Sequence, residues 1–154
     1  MPDSVADQII TKFKDAKDLY HKLILVVGSS GTGKTAALQE VSDRHAKPIV
    51  NINMELSRKL LGLTEKQRPL HVSRIIKDII NAINEDIIIF DNIEILFDVN
   101  LKQDPLKLLK TSSRNKTIIA SWNGTVDENN ITYAIADHPE YRKCLTDDVV
   151  IVKT

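Results

Sequence analysis

The chain has 154 residues, 42% of them hydrophobic, enough for about one domain with a real core. Its 21 basic and 21 acidic residues cancel, so the field of the whole molecule argues for neither nucleic acid nor an anionic membrane, and only local patches remain. The one cysteine, Cys144, excludes an internal disulfide, no apolar run is long enough to span a bilayer, and the first residues lack a secretory signal, so a soluble cytoplasmic protein with no membrane partner is expected.

Val5, Ile9, Ile10, Phe13, Ala16 and Leu19 recur at helical spacing behind Asp3 or Ser4 as cap. They predict a leading helix within residues 1–20, ahead of a core over 23–154, the whole forming one domain. Leu23-Ile-Leu-Val-Val27 is the continuous aliphatic run of a strand buried on both faces. Gly28-Ser29-Ser30-Gly31-Thr32-Gly33-Lys34-Thr35 follows and fills every fixed position of the phosphate-binding pattern G-x-x-x-x-G-K-[ST]. The strong helix formers from Ala36 to Glu40 then open a helix. Strand, glycine loop and helix thus come in the order that aims backbone N–H groups and a helix N-terminus at phosphate. In that arrangement Lys34 reaches the β- and γ-phosphates, and the Thr35 hydroxyl holds Mg²⁺.

Further on, residues 48–53 read as a second strand and 55–61 as a short helical turn. Ile75, Ile76, Ile79, Ile80 and Ile83 form one stripe of a helix over 72–83. Ile87-Ile-Ile-Phe90 is a buried strand closing on Asp91, and Asp104 caps a helix that begins at Pro105. Residues 117–122 read as a fourth strand, 131–144 as a broken helix around Pro139, and 149–152 as a fifth strand. Alternating strands and helices imply an α/β fold, a five-stranded parallel sheet with helices on both faces. No repeat or low-complexity tract interrupts it.

Four hydrophobic residues ending in an acid, about sixty residues after the phosphate loop, resemble the second element of phosphate-loop nucleotidases, whose aspartate holds Mg²⁺ through water. Asp91 takes that position. The segment Ser121-Trp122-Asn123-Gly124 extends the resemblance to the additional-strand class of these ATPases, including its AAA+ branch. That class implies a sheet order of 5-1-4-3-2, with Asn123 between Lys34 and Asp91, orienting the attacking water in the role called sensor 1. Trp122 reads as a packed anchor.

The class usually places a glutamate directly after the aspartate, where this chain has Asn92. Two general bases remain open: Glu94, if the strand curls after Asp91, and Glu55, just past the second strand. An arginine from a neighbouring subunit completes such sites. Arg142, between the fourth and fifth strands, and Arg114, just before the fourth, are the two candidates, and both imply a homo-oligomer.

No helical lid is expected after the fifth strand. Asn115-Lys-Thr-Ile118 lacks the aspartate that reads guanine, which favours ATP with Mg²⁺ over GTP. The basic residues Arg58, Lys59, Lys66, Arg68 and Arg74 read first as a solvated face.

Asn53-Met-Glu-Leu-Ser-Arg58, Asp91-Asn-Ile-Glu-Ile-Leu-Phe97, Asp104-Pro-Leu, Ser113-Arg-Asn115 and Ala120-Ser-Trp-Asn-Gly124 resemble BrxF, the small phosphate-loop family of type 3 BREX phage-defence systems. The likeness implies a bacterial ATPase acting with other phage-defence proteins on DNA, directly or through them. Taken together, the expected function is Mg-dependent ATP hydrolysis, contacted through loop residues 28–36. The rivals are a nucleotide-dependent binding module with little turnover and a small-molecule kinase.

Overall fold

The computed structural model describes residues 4–29, 31–127, 130–133 and 149–154, and residues 142–145 as backbone. Asp3, Ser30, Pro139 and the Arg142 side chain lie outside the described residues.

The first elements are α1 (Val5–Thr11) and α2 (Phe13–Lys17), so the leading helix is two pieces meeting at Lys12. The Lys12 N–H is shared between the Gln8 and Ile9 carbonyls, which tightens the turn at the break, while the Ser4 hydroxyl caps α1 by accepting from the Asp7 N–H at 3.1 Å. Strand β1 (Leu23–Gly28) runs into α3 (Lys34–His45). Strand β2 (Ile49–Asn51) is shorter than the sequence predicts, because Asn51 turns cap and accepts from the Met54 N–H, starting α4 (Ile52–Leu60) early. Then come α5 (Arg68–Asn81), β3 (Ile87–Asp91), a 3-10 turn at Glu94–Phe97, α6 (Pro105–Ser112), β4 (Thr117–Val126), β5 (Asn130–Tyr133), β6 (Arg142–Leu145) and β7 (Val150–Lys153).

The main path of the sheet runs β2-β3-β4-β1-β7, all parallel. Counted as the first to fifth parallel strands, this is the expected 5-1-4-3-2 read from the other edge. Alternation along β1 shows why both faces are covered. Leu23, Leu25 and Val27 enter a core beneath α4, α5 and α6, whereas Ile24 and Val26 enter a second core beneath α1, α2 and α3.

One expectation is overturned. The segment read as a broken helix over 131–144 contains two strands, β5 and β6, which pair antiparallel with each other and with an extension of β4. Ile131-Thr132-Tyr133 alternates with period two and is rich in β-branched and aromatic residues, so it pairs with Gly124 to Val126 rather than coiling. Phe97 stacks on Tyr133 with ring centroids 3.4 Å apart, Trp122 packs edge-on against both, and the Trp122 indole N–H donates to the Thr132 carbonyl at 3.0 Å. Trp122 is therefore the anchor that fastens this arm to the main sheet. Among the described residues no helix is long and apolar enough to cross a membrane.

Candidate active site

The C-terminal ends of β1, β4 and β3 stand side by side, with Gly28 in register with Asn123, and Asp91 in register with Asn51 of β2. Above them lies an open cleft of about 370 Å³ lined by Gly31, Gly33, Lys34, Thr35 and Ala36 from the loop side. Asp91, Asn92, Glu94, Ser121 and Asn123 line the other side.

Gly31 and Gly33 have φ of 84° and 89°, a region that side chains rarely enter, and this lets the loop turn tightly into α3. Gly33 supplies no side-chain cap, so the first N–H groups of α3 remain open to an anion. The loop is closed by hydroxyls: Thr32 Oγ1 donates to the Ser29 carbonyl at 2.8 Å and lies 2.8 Å from Thr154 Oγ1, beyond the end of β7. Lys34 is buried, and its ammonium donates to the carbonyls of Gly28 at 3.0 Å and Ser29 at 2.6 Å. Burial pushes its pKa below the ordinary lysine value, while Glu94 and then Asp91 draw it back up.

Asp91 is also buried. Its Oδ1 accepts from the Ser121 hydroxyl and from the Asn92 N–H, both at 2.9 Å. No hydrogen bond reaches Oδ2 among the described residues, so this oxygen remains for a cation. Thr35 offers a second oxygen across the cleft. Among the described residues no group of three or more His, Cys, Asp or Glu makes a metal cage. One carboxylate and one hydroxyl fit Mg²⁺ that takes its remaining ligands from phosphate and water.

The residues after Asp91 curl. Asn92 adopts φ of 53°, the left-handed region that asparagine tolerates better than most residues, and the chain enters the 3-10 turn at Glu94. This brings Glu94 into the cleft, where Oε1 accepts from Asn123 Nδ2 at 2.7 Å and Oε2 from Asn53 Nδ2 at 3.3 Å. Asn53 is itself fixed, its Oδ1 accepting from the Ile95 N–H at 2.8 Å and its N–H donating to the Asn92 carbonyl at 2.9 Å.

Residues 24–136, more than half of the chain, match the model of the family described as ATPase family associated with various cellular activities (AAA). This chain belongs to the AAA ATPase family. As a member it carries a nucleotide-binding fold of the kind that takes ATP. None of the curated protein sequences matches it. Among solved structures, PCH-2 of C. elegans is similar over 97% of this chain and 41% of that one, with 20% identity and a TM-score of 0.43. The AAA chain described here thus spans less than half the length of PCH-2.

Of the remaining sequence candidates, Glu55 sits in the first turn of α4, 3.8 Å from Arg58, and does not line the cleft. Arg114 lies at the other end of the sheet, just before β4, with its guanidinium 4.9 Å from the centre of the Tyr20 ring. Arg142 is the first residue of β6, in register with Tyr133 on the arm. Sequence reasoning missed Asn53, Ser121 and Thr154. Ser121 had a signal, since it stands two residues before Asn123 and so on the same strand face. Asn53 was hidden by its place at a strand-to-helix junction, and nothing in the sequence marks Thr154.

Proposed function

We propose that this protein hydrolyses ATP with Mg²⁺ in the cleft at the ends of β1, β3 and β4. The observation that carries the reading is Glu94, a carboxylate held between the amides of Asn53 and Asn123 within the cleft that Lys34 and Asp91 share.

In this reading the N–H groups of the loop and of the first turn of α3 bind the phosphate chain. Lys34 exchanges the carbonyls of Gly28 and Ser29 for β- and γ-phosphate oxygens. Thr35 and Asp91 would hold Mg²⁺, which neutralises charge on the phosphates when bound. Asn123 orients a water against the γ-phosphorus and Glu94 accepts its proton; as the new P–O bond forms, the bond to the ADP oxygen breaks and ADP leaves. Arg142 is the arginine we assign to a neighbour's site, because the arm bearing β6 extends from the same end of the sheet as the cleft. That implies a homo-oligomer. The likeness of segments 53–58, 91–97 and 120–124 to BrxF supports a role beside other proteins of a phage-defence complex.

The test is phosphate release from MgATP per protein molecule over a wide concentration series, with Lys34→Ala as blank. A specific rate that rises with concentration and vanishes in Arg142→Ala, with ATP binding intact, is expected. Tight binding without turnover at any concentration would replace this reading with that of a nucleotide-dependent binding module.

A further inference from the structure

At the end of the sheet opposite the phosphate loop, the last turns of α5 and α6 and the turn into β4 enclose a second cleft of about 450 Å³. Lys77, Arg114 and Lys116 line it, with the hydroxyls of Ser73 and Thr111 and the amide of Asn115, and among the described residues no carboxylate does. A chain without net charge has gathered three cations where the described lining holds no acid.

Helix ends account for one of them. The carbonyl end of a helix carries partial negative charge, and Lys116 Nζ donates to the Ile80 carbonyl in the last turn of α5 at 3.1 Å and to that of Ile83 just beyond it. Lys77 is exposed and has no hydrogen-bond or ion-pair partner among the described residues. The Arg114 guanidinium lies over the Tyr20 ring and His21 meets that ring at 81°, yet Tyr20 remains 62% exposed as a residue. Cations without acids suit phosphodiesters, and an exposed aromatic ring beside a guanidinium is a platform on which an unpaired base stacks. A duplex keeps its bases stacked inside and has no use for such a ring.

We propose that this cleft binds a single strand of nucleic acid, with Lys77 and Arg114 on its phosphates and a base against Tyr20. The site lies at the far end of the sheet from the nucleotide cleft, and the proposal holds whether or not that cleft turns ATP over.

The test is fluorescence polarisation of the full chain with labelled oligodeoxythymidylate and oligouridylate of about 12 nucleotides. Binding that weakens with salt is expected, and the two probes distinguish DNA from RNA. Lys77→Glu should weaken binding about tenfold and lower the salt slope by about one. Tyr20→Ala should weaken it at least about fivefold with the slope unchanged. Both residues are exposed, so melting temperatures should match the parent, and Lys77→Glu should keep its MgATP affinity. Absence of binding, or binding indifferent to both substitutions, overturns the proposal. So does competition by inorganic polyphosphate equal to that of the strand together with an indifferent Tyr20→Ala, which would mark an unspecific anion surface.

Discussion

Asn123 donates from Nδ2 to Glu94 Oε1 at 2.7 Å, joining the tip of β4 to the curl that follows β3. A general base contributes about 10²- to 10⁴-fold to such a step, so Glu94→Gln should reduce phosphate release by at least about a hundredfold while MgATP still binds. Glu55→Gln should leave the rate within about twofold, since its carboxylate faces Arg58. Steady-state rates beside nucleotide-binding isotherms separate the two glutamates.

Asn123→Ala leaves Glu94 held only by the longer bond from Asn53. A misplaced base loses rate rather than affinity, so kcat should fall by about 10²-fold with KM nearly unchanged. A raised KM with kcat unchanged would assign Asn123 to ground-state binding instead.

Left-handed backbone at Asn92 is what sends the chain toward the cleft. Asn92→Gly should retain both fold and turnover, because glycine enters that region freely. Asn92→Val should lower unfolding free energy by about 1–2 kcal/mol and slow hydrolysis as well, since relaxing the strain withdraws Glu94. Urea unfolding and the rate assay together check this.

A methyl group at Gly28 would stand 1.8 Å from Thr154 Oγ1 and 2.6 Å from Thr32 Oγ1, the hydroxyls that close the phosphate loop. Gly28→Ala should therefore weaken MgATP binding by about tenfold, the scale of one or two lost hydrogen bonds. Adding Thr154→Ala removes the nearer clash and should recover part of the loss, read by calorimetry.

Lys34 gives a pH dependence of definite sign. Its folded pKa lies below the ordinary lysine value through burial, so between the two values the unfolded chain holds more protons. This group's contribution to stability therefore increases as pH rises through that alkaline window. Melting temperatures of the parent and Lys34→Met should diverge in the parent's favour as pH rises toward the ordinary lysine value, while nucleotide affinity of the parent declines as the ammonium deprotonates.

The main sheet was legible because its strands are continuous apolar runs, and Leu23 to Val27 can lie only in a sheet covered on both faces. The phosphate loop was legible because its chemistry is local in sequence. Glu94 was not decided by spacing, since its place depends on one backbone angle at Asn92, and a sequence shows that asparagine tolerates such an angle without showing that it adopts it. Asn53 was misplaced by two residues' difference in where β2 yields to α4. The arm was misread because Pro139 suggested a broken helix, whereas the pairing of β5 with β4 is a long-range contact that no local window contains.

Strand β4 passes without interruption from Thr117 in the core through Asn123 at the cleft to Val126 in the arm. There is no joint between the amide that holds Glu94 and the hairpin that Trp122 fastens. The position of Asn123 over the cleft and the position of the arm are therefore set by one continuous backbone, and the buried indole of Trp122 fixes both to the same sheet.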